Sequence, residues 1–393
     1  MRRTVWPQLV SELEQMDAAP IRALRLIQRQ LRDGSYEFSP KWGYAKRKSG
    51  GSRRGITVHG IKDRVIQRSI LNIIHSSDPE IQRYLGDVPE VLRTPTTFAA
   101  APGRGVPDAV ALVYKTLRTG ARVFAYSDVK DFFPCVPRHE VVTFLKSSID
   151  DQPFLELFEA ALKTEIDNRS DIDRWLALFP IYEIGVAQGS LLSALVGNLA
   201  LRHFDARLNN NGLTTVRYLD DFAILGPDRD RVSNGFCEAQ SELARLGMSC
   251  YEPNDGSQKA FLGYADNGFD FLGCHIHPDG VSPARRAQRK LLRDVSATIA
   301  KGKAQIRNLR ANPSRRRTEF AYAQTLVQID RTVRGWGDAY RFVSNRLPFS
   351  QMDIELDRLL DDFQHWFRRN VGQAETRTKR RMQGIALLAD TPN

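Results

Sequence analysis

Hydrophobic and polar positions recur along the chain with two different periods. Apolar residues at helical spacing predict a pair of helices within 6–31, divided at Pro20. Short runs of apolar and β-branched residues predict buried strands at 123–128, 214–218 and 222–225. Further helices are expected within 61–74, 107–117, 139–148, 154–162, 234–246, 322–342 and 352–369. This mixture predicts an α/β (α+β) fold class.

The strands at 214–218 and 222–225 leave Asp220 and Asp221 at the tip of a hairpin. Adjacent carboxylates in apolar surroundings repel each other and are costly to desolvate, so a proton, a basic partner or a cation must compensate them. A third carboxylate, Asp128, ends a neighbouring predicted strand. Such a set suits Mg²⁺, which prefers few carboxylates plus phosphate oxygens. A solvated Asp-Asp turn is the alternative, and the apolar strands on both sides argue against it.

Composition narrows the class of protein. The 393 residues suffice for two or three domains, and the net charge of +11 points to an anionic partner, nucleic acid first. The four cysteines form no Cys-x-x-Cys pair, which argues against a zinc ribbon or a disulfide framework and suits a reducing cytosol. Without a signal peptide or a run long enough to span a membrane, we expect a cytoplasmic protein with no membrane partner.

The basic character is concentrated in one segment. Between residues 282 and 317 there are twelve Lys or Arg residues and one acid, an excess equal to the net charge of the whole chain. This favours a nucleic-acid-binding face, with Arg285, Arg286, Arg289, Lys290 and Arg293 as candidates. Ser282-Pro283 predicts the start of its helix, with the serine as cap. The residues from 372 onward are expected to form a polar tail that frays in part.

Three other stretches carry candidate chemistry. A run of Lys, Arg, Gly and Ser at 41–54 has the composition of a basic hairpin that binds phosphate or is simply solvated. Small residues surround Arg104 at 97–105, which suits either a ligand approaching the backbone or an ordinary tight connection. Gln188 and Gly189 form a turn that opens an apolar helix.

In this order the motifs resemble those of reverse transcriptases, within the bacterial group II intron-like branch. The segment from Asp128 to Phe133 resembles motif A, Gln188 to Asn198 motif B, and Tyr218 to Asp221 motif C. Lys259 and the Phe271-Leu272-Gly273 run resemble motifs D and E. The finger motifs are similar to segments at 55–64 and 98–104, and the intron-type thumb to Arg334-Gly335-Trp336 with Tyr340. The resemblance runs from about residue 40 to 345.

The resemblance implies a right-hand polymerase with helical fingers, a palm built on a small antiparallel β-sheet, and a helical thumb. The implied domains are N-terminal helices and fingers at 1–120 and a palm at 121–280 that includes a fingers segment within 139–185. A basic thumb at 281–371 and the tail at 372–393 follow.

The resemblance also implies a two-metal nucleotidyl transfer. Two Mg²⁺ ions would be held at Asp128, Val129, Asp220 and Asp221, one activating the primer 3′ hydroxyl and the other bridging the nucleotide phosphates. Phe133 matches the steric gate against ribonucleotides, and Gln188 and Lys259 would contact the deoxynucleotide. Lys48, Arg53 or Arg54 would grip its triphosphate. Template and product would meet a larger set: Arg104, Gly189, Trp336 and the basic residues from Arg285 to Arg293.

The expected biological role rests on two kinds of observation: positions where this chain departs from the family pattern, and family signatures that it lacks. Ala194 stands where the family usually has proline, and Leu219 where a smaller or less branched residue is common. No Cys/His endonuclease cluster follows the thumb, and the retron and diversity-generating signatures are missing. What remains resembles a stand-alone, defence-associated reverse transcriptase that copies a dedicated non-coding RNA into DNA. A maturase or other RNA-binding protein, with or without synthesis, and an RNA-templated RNA polymerase are the alternatives.

Overall fold

The computed structural model describes residues 2–47, 51–180, 183–209, 212–253, 259–312, 320–372 and 374–388. It separates into two compact units, Met1–Ala265 and Asp266–Asn393, each with its own hydrophobic core. The described residues contain no helix long and apolar enough to cross a bilayer.

The first unit carries most of the predicted elements. Its helices are α1 (Arg2–Ala18), α2 (Pro20–Arg32), α3 (Ile61–Ile74), α4 (Pro79–Tyr84), α5 (Val88–Leu92), α6 (Val106–Arg118), α7 (Phe132–Cys135), α8 (Arg138–Ser148), α9 (Gln152–Leu162), α10 (Ser193–Ala200), α11 (Arg202–Leu208) and α12 (Arg229–Arg245). Its strands are β1 (Trp42–Arg47), β2 (Arg53–Val58), β3 (Val123–Asp128), β4 (Thr214–Tyr218), β5 (Asp221–Gly226) and β6 (Phe261–Tyr264). A 3₁₀-helix at Arg169–Leu178 completes the list, and a second one, Ala265–Asn267, lies at the boundary between the two units.

The predicted helix boundaries hold where the chain carries strong local signals. Pro20 divides the N-terminal helices as expected, since it occupies the first turn of α2, where its missing N–H removes no intrahelical bond. Helix α12 begins at Arg229, earlier than predicted, because the Asp228 carboxylate accepts a hydrogen bond from the Arg231 amide at 2.9 Å and caps the first turn.

An antiparallel sheet in the order β4-β5-β3-β6 forms the centre of the first unit. Side chains alternate between its two faces along each strand. Phe222 points to one face, where its ring stacks on Phe236 of α12 with centroids 6.2 Å apart. Asp221 therefore points to the opposite face, together with its cross-strand partner Asp128. Both faces of β5 are buried beyond its first residue, since Ala223 and Leu225, on the same face as Asp221, are as buried as Phe222. The carboxylates therefore lie together on one face at the end of the sheet.

The second unit combines a small sheet with long helices. Its elements are β7 (Phe269–Phe271), β8 (Cys274–His277), β9 (Gly280–Pro283), α13 (Arg285–Ala311), α14 (Tyr322–Ala339), α15 (Leu347–Val371) and α16 (Thr376–Gln383). The three strands pair antiparallel in sequence order. The helices close around an apolar core in which Phe363 is fully buried and Tyr322 stacks on Phe367 at 4.0 Å.

Two expectations for this unit are corrected. Ser282-Pro283 does not start the basic helix: Ser282 pairs with His275 in the β8–β9 ladder, and the helix begins at Arg285. The segment expected as a polar tail contains α16, because Met382 is fully buried in the core and holds the helix in place.

Candidate active site

Three aspartates lie close together where the C-terminal end of β3 meets the turn of the β4–β5 hairpin. Asp128, the last residue of β3, lies directly opposite Asp221, the first residue of β5. Asp220 occupies the turn between β4 and β5, and its carbonyl oxygen accepts a hydrogen bond from the Val129 amide at 3.0 Å. Leu219, just before it, adopts a left-handed backbone with φ +58°. The hairpin predicted from the sequence is therefore present, and Val129 supports its tip through the main chain.

The carboxylates are electrostatically crowded. Burial, followed by repulsion from Asp128, raises the pKa of Asp220 above its ordinary value. Desolvation and then repulsion from Asp220 and Asp128 raise the pKa of Asp221 to about 7, although this side chain reaches the surface. Both shifts report negative charge that the protein compensates only in part. A cation placed here would be favoured.

Lys259 is the basic group of this cluster. Its ammonium lies 2.7 Å from Oδ2 of Asp128 and sits over the Tyr251 ring, 4.2 Å from the centroid. The Tyr251 amide in turn donates to the Asp128 carbonyl oxygen at 3.1 Å. Lys259 lowers the pKa of both Asp220 and Asp221, so it offsets part of the repulsion. Sequence reasoning named Lys259 but not Tyr251, which orients it.

The Gln188–Gly189 turn is attached to β2. The Thr57 amide donates to the Gln188 carbonyl oxygen at 2.8 Å, and Gly189 has φ +129°. A Cβ at Gly189 would lie 2.1 Å from the Thr57 carbonyl oxygen, so only glycine allows this approach. The turn and the β1–β2 hairpin therefore form one surface.

A series of buried hydrogen bonds between side chains supports the Gln188–Gly189 turn. Nδ1 of His59 accepts from the side-chain amide of Gln67 at 3.2 Å, and Nε2 of His59 lies 3.2 Å from the Thr57 hydroxyl. Oε1 of Gln67 accepts from the Leu191 amide at 3.3 Å. Burial, with the nearby Lys41 and Arg64 charges, lowers the pKa of His59 to about 4. The imidazole is therefore neutral near pH 7 and acts as a structural link. Sequence reasoning missed Thr57, His59 and Gln67, because nothing local marks them.

Phe133 lies on α7, directly after Asp128 and the short turn that follows it. Its ring is partly exposed and packs edge-on against Phe132, with centroids 5.3 Å apart. The Phe133 carbonyl oxygen accepts from the Val186 amide at 2.7 Å, which links α7 to the segment that leads into the Gln188 turn. This main-chain hydrogen bond thus holds Phe133 close to Asp128 and to the segment that leads into the Gln188 turn.

The model of the family described as reverse transcriptase (RNA-dependent DNA polymerase) matches residues 46–276, a segment that contains every element of this cluster. The chain belongs to the reverse transcriptase family. With the mixed α/β architecture and its small antiparallel sheets, this membership confirms the predicted fold class, a right-hand polymerase.

Individual relatives are distant. The chain is 24% identical over 197 residues to an "uncharacterized 91 kDa protein in cob intron" of Schizosaccharomyces pombe, covering 50% of this chain and 22% of that protein. It is 25% identical over 198 residues to Escherichia coli protein YkfC, covering 49% and 46%. These alignments span less than half the length of either relative. Apo telomerase from Candida tropicalis has a TM-score of 0.45 at 12% identity, covering 89% and 65% of the two chains, a likeness too low to bear on function.

The basic β1–β2 hairpin carries like charges directly opposite each other. Lys46 faces Arg54 and Arg47 faces Arg53 across the two strands. Arg53 is already engaged: its guanidinium donates to the Ala45 carbonyl oxygen at 3.0 Å and lies 4.7 Å from the Trp175 ring centroid. Arg54 is exposed, and Lys48, the third candidate for the triphosphate, lies outside the described residues. Cross-strand cation pairs destabilise a hairpin unless an anion bridges them.

Arg104 is committed to its own loop. Its guanidinium donates to the carbonyl oxygens of Arg93, Thr94 and Thr97 at 2.5–3.2 Å. These bonds fold the 94–105 connection around the arginine. The structure therefore gives Arg104 a scaffolding role, and contact with nucleic acid stays a prediction.

The basic helix of the second unit presents its candidates to solvent. Arg285, Arg286, Arg289, Lys290 and Arg293 are all exposed on α13. Lys290 pairs with Asp294 at 2.8 Å, a surface ion pair one helical turn away. Trp336 is different, since its ring packs against Tyr340 and Phe349 with centroids 4.8 and 5.4 Å away. Trp336 thus contributes first to the core of this unit.

Reverse transcriptases imply Mg²⁺, and the carboxylates here fit it. Their oxygens are hard ligands, and a bound cation would offset the burial and mutual repulsion that raise the pKa of Asp220 and Asp221. Among the described residues no three His, Cys, Asp or Glu side chains are arranged to hold a metal by themselves. This is consistent with Mg²⁺ sites that take one or two carboxylates and complete their coordination with substrate phosphates.

Proposed function

We propose that this protein is an RNA-directed DNA polymerase that adds deoxynucleotides to a primer. The observation that carries the proposal is the carboxylate cluster: Asp128 and Asp221 as cross-strand neighbours, with Asp220 in the adjoining turn. It lies inside the reverse transcriptase segment. Phosphoryl transfer needs charge neutralisation and alignment more than covalent chemistry, and this cluster is built for both.

In this proposal Asp128 and Asp220 hold the metal ions, with Asp221 in support. Mg²⁺, when bound, supplies the charge that lowers the pKa of the primer 3′ hydroxyl and stabilises the transferring phosphoryl group. The chain itself positions the nucleotide. The Gln188 turn, fixed on Thr57, contacts the base and sugar, Phe133 crowds the 2′ carbon, and Arg54 holds the triphosphate.

The test is primer extension on an RNA template by Asp220→Asn. The change removes one charge and little volume, so we expect the protein to fold and its rate to fall by at least roughly 10²-fold. Asp230→Asn, on the exposed start of α12, is the matched control and should extend primers like the parent chain. Extension by folded Asp220→Asn at the control rate would refute the assignment.

The template is the finer part of the proposal. We infer that the chain copies a dedicated non-coding RNA and serves in anti-phage defence, which rests on the family resemblance of its motifs and on the exposed cations of α13. The test is sequencing of RNA and DNA that co-purify with the protein from its native host. One abundant RNA with complementary DNA supports the inference, whereas a random sample of cellular RNA contradicts it.

A second candidate is an intron RNA-binding protein that acts without synthesis. It is favoured by the Schizosaccharomyces pombe relative, whose name places it in an intron. A pure binder has no need of three crowded carboxylates, whose repulsion costs stability. If Asp220→Asn retains the whole cellular function, the binder is correct and the polymerase is not.

A further inference from the structure

Arg217, on β4 two residues before the catalytic turn, is fully buried, although arginine is almost never buried without partners. Its guanidinium forms a two-pronged ion pair with Asp205 of α11, Nε to Oδ1 at 2.7 Å and Nη2 to Oδ2 at 2.5 Å. Asp205 is itself only 4% exposed. Such a pair fixes the plane of the guanidinium, which leaves Nη1 pointing in one direction.

Nη1 points at the turn. It donates at 3.0 Å to the carbonyl oxygen of Leu219 and at 3.0 Å to Oδ1 of Asn198 on α10. Leu219 has φ +58°, a left-handed conformation that is unfavourable for a residue with a branched side chain. The next carbonyl, that of Asp220, is held by the Val129 amide. Both carbonyls of the turn therefore have fixed donors, one from a side chain and one from the main chain of the residue that follows β3.

The same pair reaches the neighbouring loop. Oδ2 of Asp205 accepts from the Thr97 hydroxyl at 2.8 Å, and the amide of Asn198 donates to the Ala99 carbonyl oxygen. The main chain of Arg217 also pairs with this loop, through Thr96 and Phe98. The turn is thus fixed to α10, α11 and the 94–105 connection by one buried network.

We propose that Arg217 and Asp205 are positioning residues for nucleotide transfer: they clamp the Leu219 carbonyl and so hold Asp220 in its catalytic place. The inference rests on the proposed function for its rate prediction, but the clamp itself is a statement about the turn. Misplacing a catalytic group by about 1 Å can cost roughly 10²-fold in rate. A donor that holds a strained turn can therefore control rate without touching substrate.

The experiment compares Arg217→Lys, which keeps the charge but loses the planar fork, with the parent chain. We expect kcat for primer extension to fall roughly 10²-fold, with KM for the deoxynucleotide changed less than about 3-fold, because the nucleotide pocket is left intact. Amide hydrogen exchange of the peptide containing Val129 should quicken, since the turn loses one of its two supports. Asp205→Asn should shift both readouts in the same direction.

Glu242→Gln is the matched control. Glu242 is also buried and also pairs with arginine, Arg207 of α11 at 2.7 Å and Arg245 at 2.6 Å. Among the residues that the structure describes, no hydrogen bond or ion pair joins Glu242 to the turn. The Glu242→Gln variant should be less stable than the parent chain, but its kcat and the exchange rate of its Val129 amide should stay at the parent values. If Arg217→Lys matches this control in both readouts, the clamp is refuted.

Two further outcomes are separable. If Arg217→Lys does not fold, two other measurements test the clamp. One is the effect of Asp205→Asn on kcat and on exchange. The other is the exchange rate of the Val129 amide in the parent chain, because the clamp requires that amide to exchange only with global unfolding. If the parent chain extends no primer, the proposed function fails, whereas faster exchange in the variants still supports the clamp.

Discussion

Gly189 offers a quantitative test of how the nucleotide pocket is built. Gly189→Ala would place a methyl group 2.1 Å from the Thr57 carbonyl oxygen, a distance that forces the turn and β2 apart. The matched control is Gly120→Ala. Gly120 has φ +120°, close to the +129° of Gly189, and has open space where its Cβ would be. The two variants therefore share the backbone strain and differ in the collision.

The difference in folding stability between the two variants can be worked out from the contacts. Backbone strain of about 1–3 kcal/mol applies to both variants and cancels in the comparison. Displacing β2 costs about 1–3 kcal/mol more, and losing the bond from the Thr57 amide to the Gln188 carbonyl oxygen costs about 1 kcal/mol. Gly189→Ala should thus be about 2–4 kcal/mol less stable than Gly120→Ala, which lowers Tm by roughly 4–7 °C for a unit as large as Met1–Ala265.

Thermal unfolding and primer extension measure the two consequences. Because Gln188 moves with its carbonyl, KM for the deoxynucleotide should rise in Gly189→Ala and stay at the parent value in Gly120→Ala. Equal Tm and equal KM for the two variants would show that the turn does not depend on its contact with Thr57, and would remove Gln188 from the nucleotide site.

Three other predictions follow from the same geometry. Phe133→Ala should admit ribonucleotides, and an unchanged sugar preference in extension assays would make Phe133 a packing residue. The pKa of Asp221 is about 7 in the folded chain, above its ordinary 3.8. Its contribution to folding stability is therefore fully present below pH 3.8 and is lost as the pH rises to about 7. Mg²⁺ binds the ionised form and should raise Tm more at about pH 8 than at about pH 6; equal shifts would contradict this. Glutamine at four cations of α13 should flatten the slope of log affinity against log salt by about 3, compared with a control quadruple variant on α15 and α16. The test set is Arg285, Arg286, Arg289 and Lys290, the control set is Arg368, Arg369, Arg377 and Arg380, and equal slopes would exclude α13 from binding.

Much of the catalytic hairpin could be predicted because its signals are local. The apolar runs on each side of Asp220 and Asp221 specify two short strands, and the pair between them can only lie at a turn. The strand ending at Asp128 has the same kind of signal. No local pattern encodes strand order, and the pairing of β3 with β5 confirms the expectation that these strands are neighbours.

What the sequence could not show depends on distant partners. Arg217 reads as one residue of a buried strand, and its partner Asp205 becomes visible only when α11 packs beside β4. Arg104 reads as a cation in a small-residue loop, which fits a ligand site or a scaffold equally well until its three carbonyl partners are known. A lone arginine within an apolar strand was the available signal, because a buried guanidinium demands a carboxylate nearby.

Two unfavourable charge arrangements in the first unit have one explanation under the proposed function. Three carboxylates crowd one end of the palm sheet, and two pairs of cations face each other across the β1–β2 hairpin. Each arrangement costs stability in the free chain, because like charges repel across the strands and burial strengthens the repulsion. Mg²⁺ would neutralise the carboxylates, and the phosphates of a deoxynucleotide would neutralise the pair of cations on one face of the hairpin, Lys46 and Arg54. Under that function, the repulsion within each charge set would be relieved when substrate and metal bind.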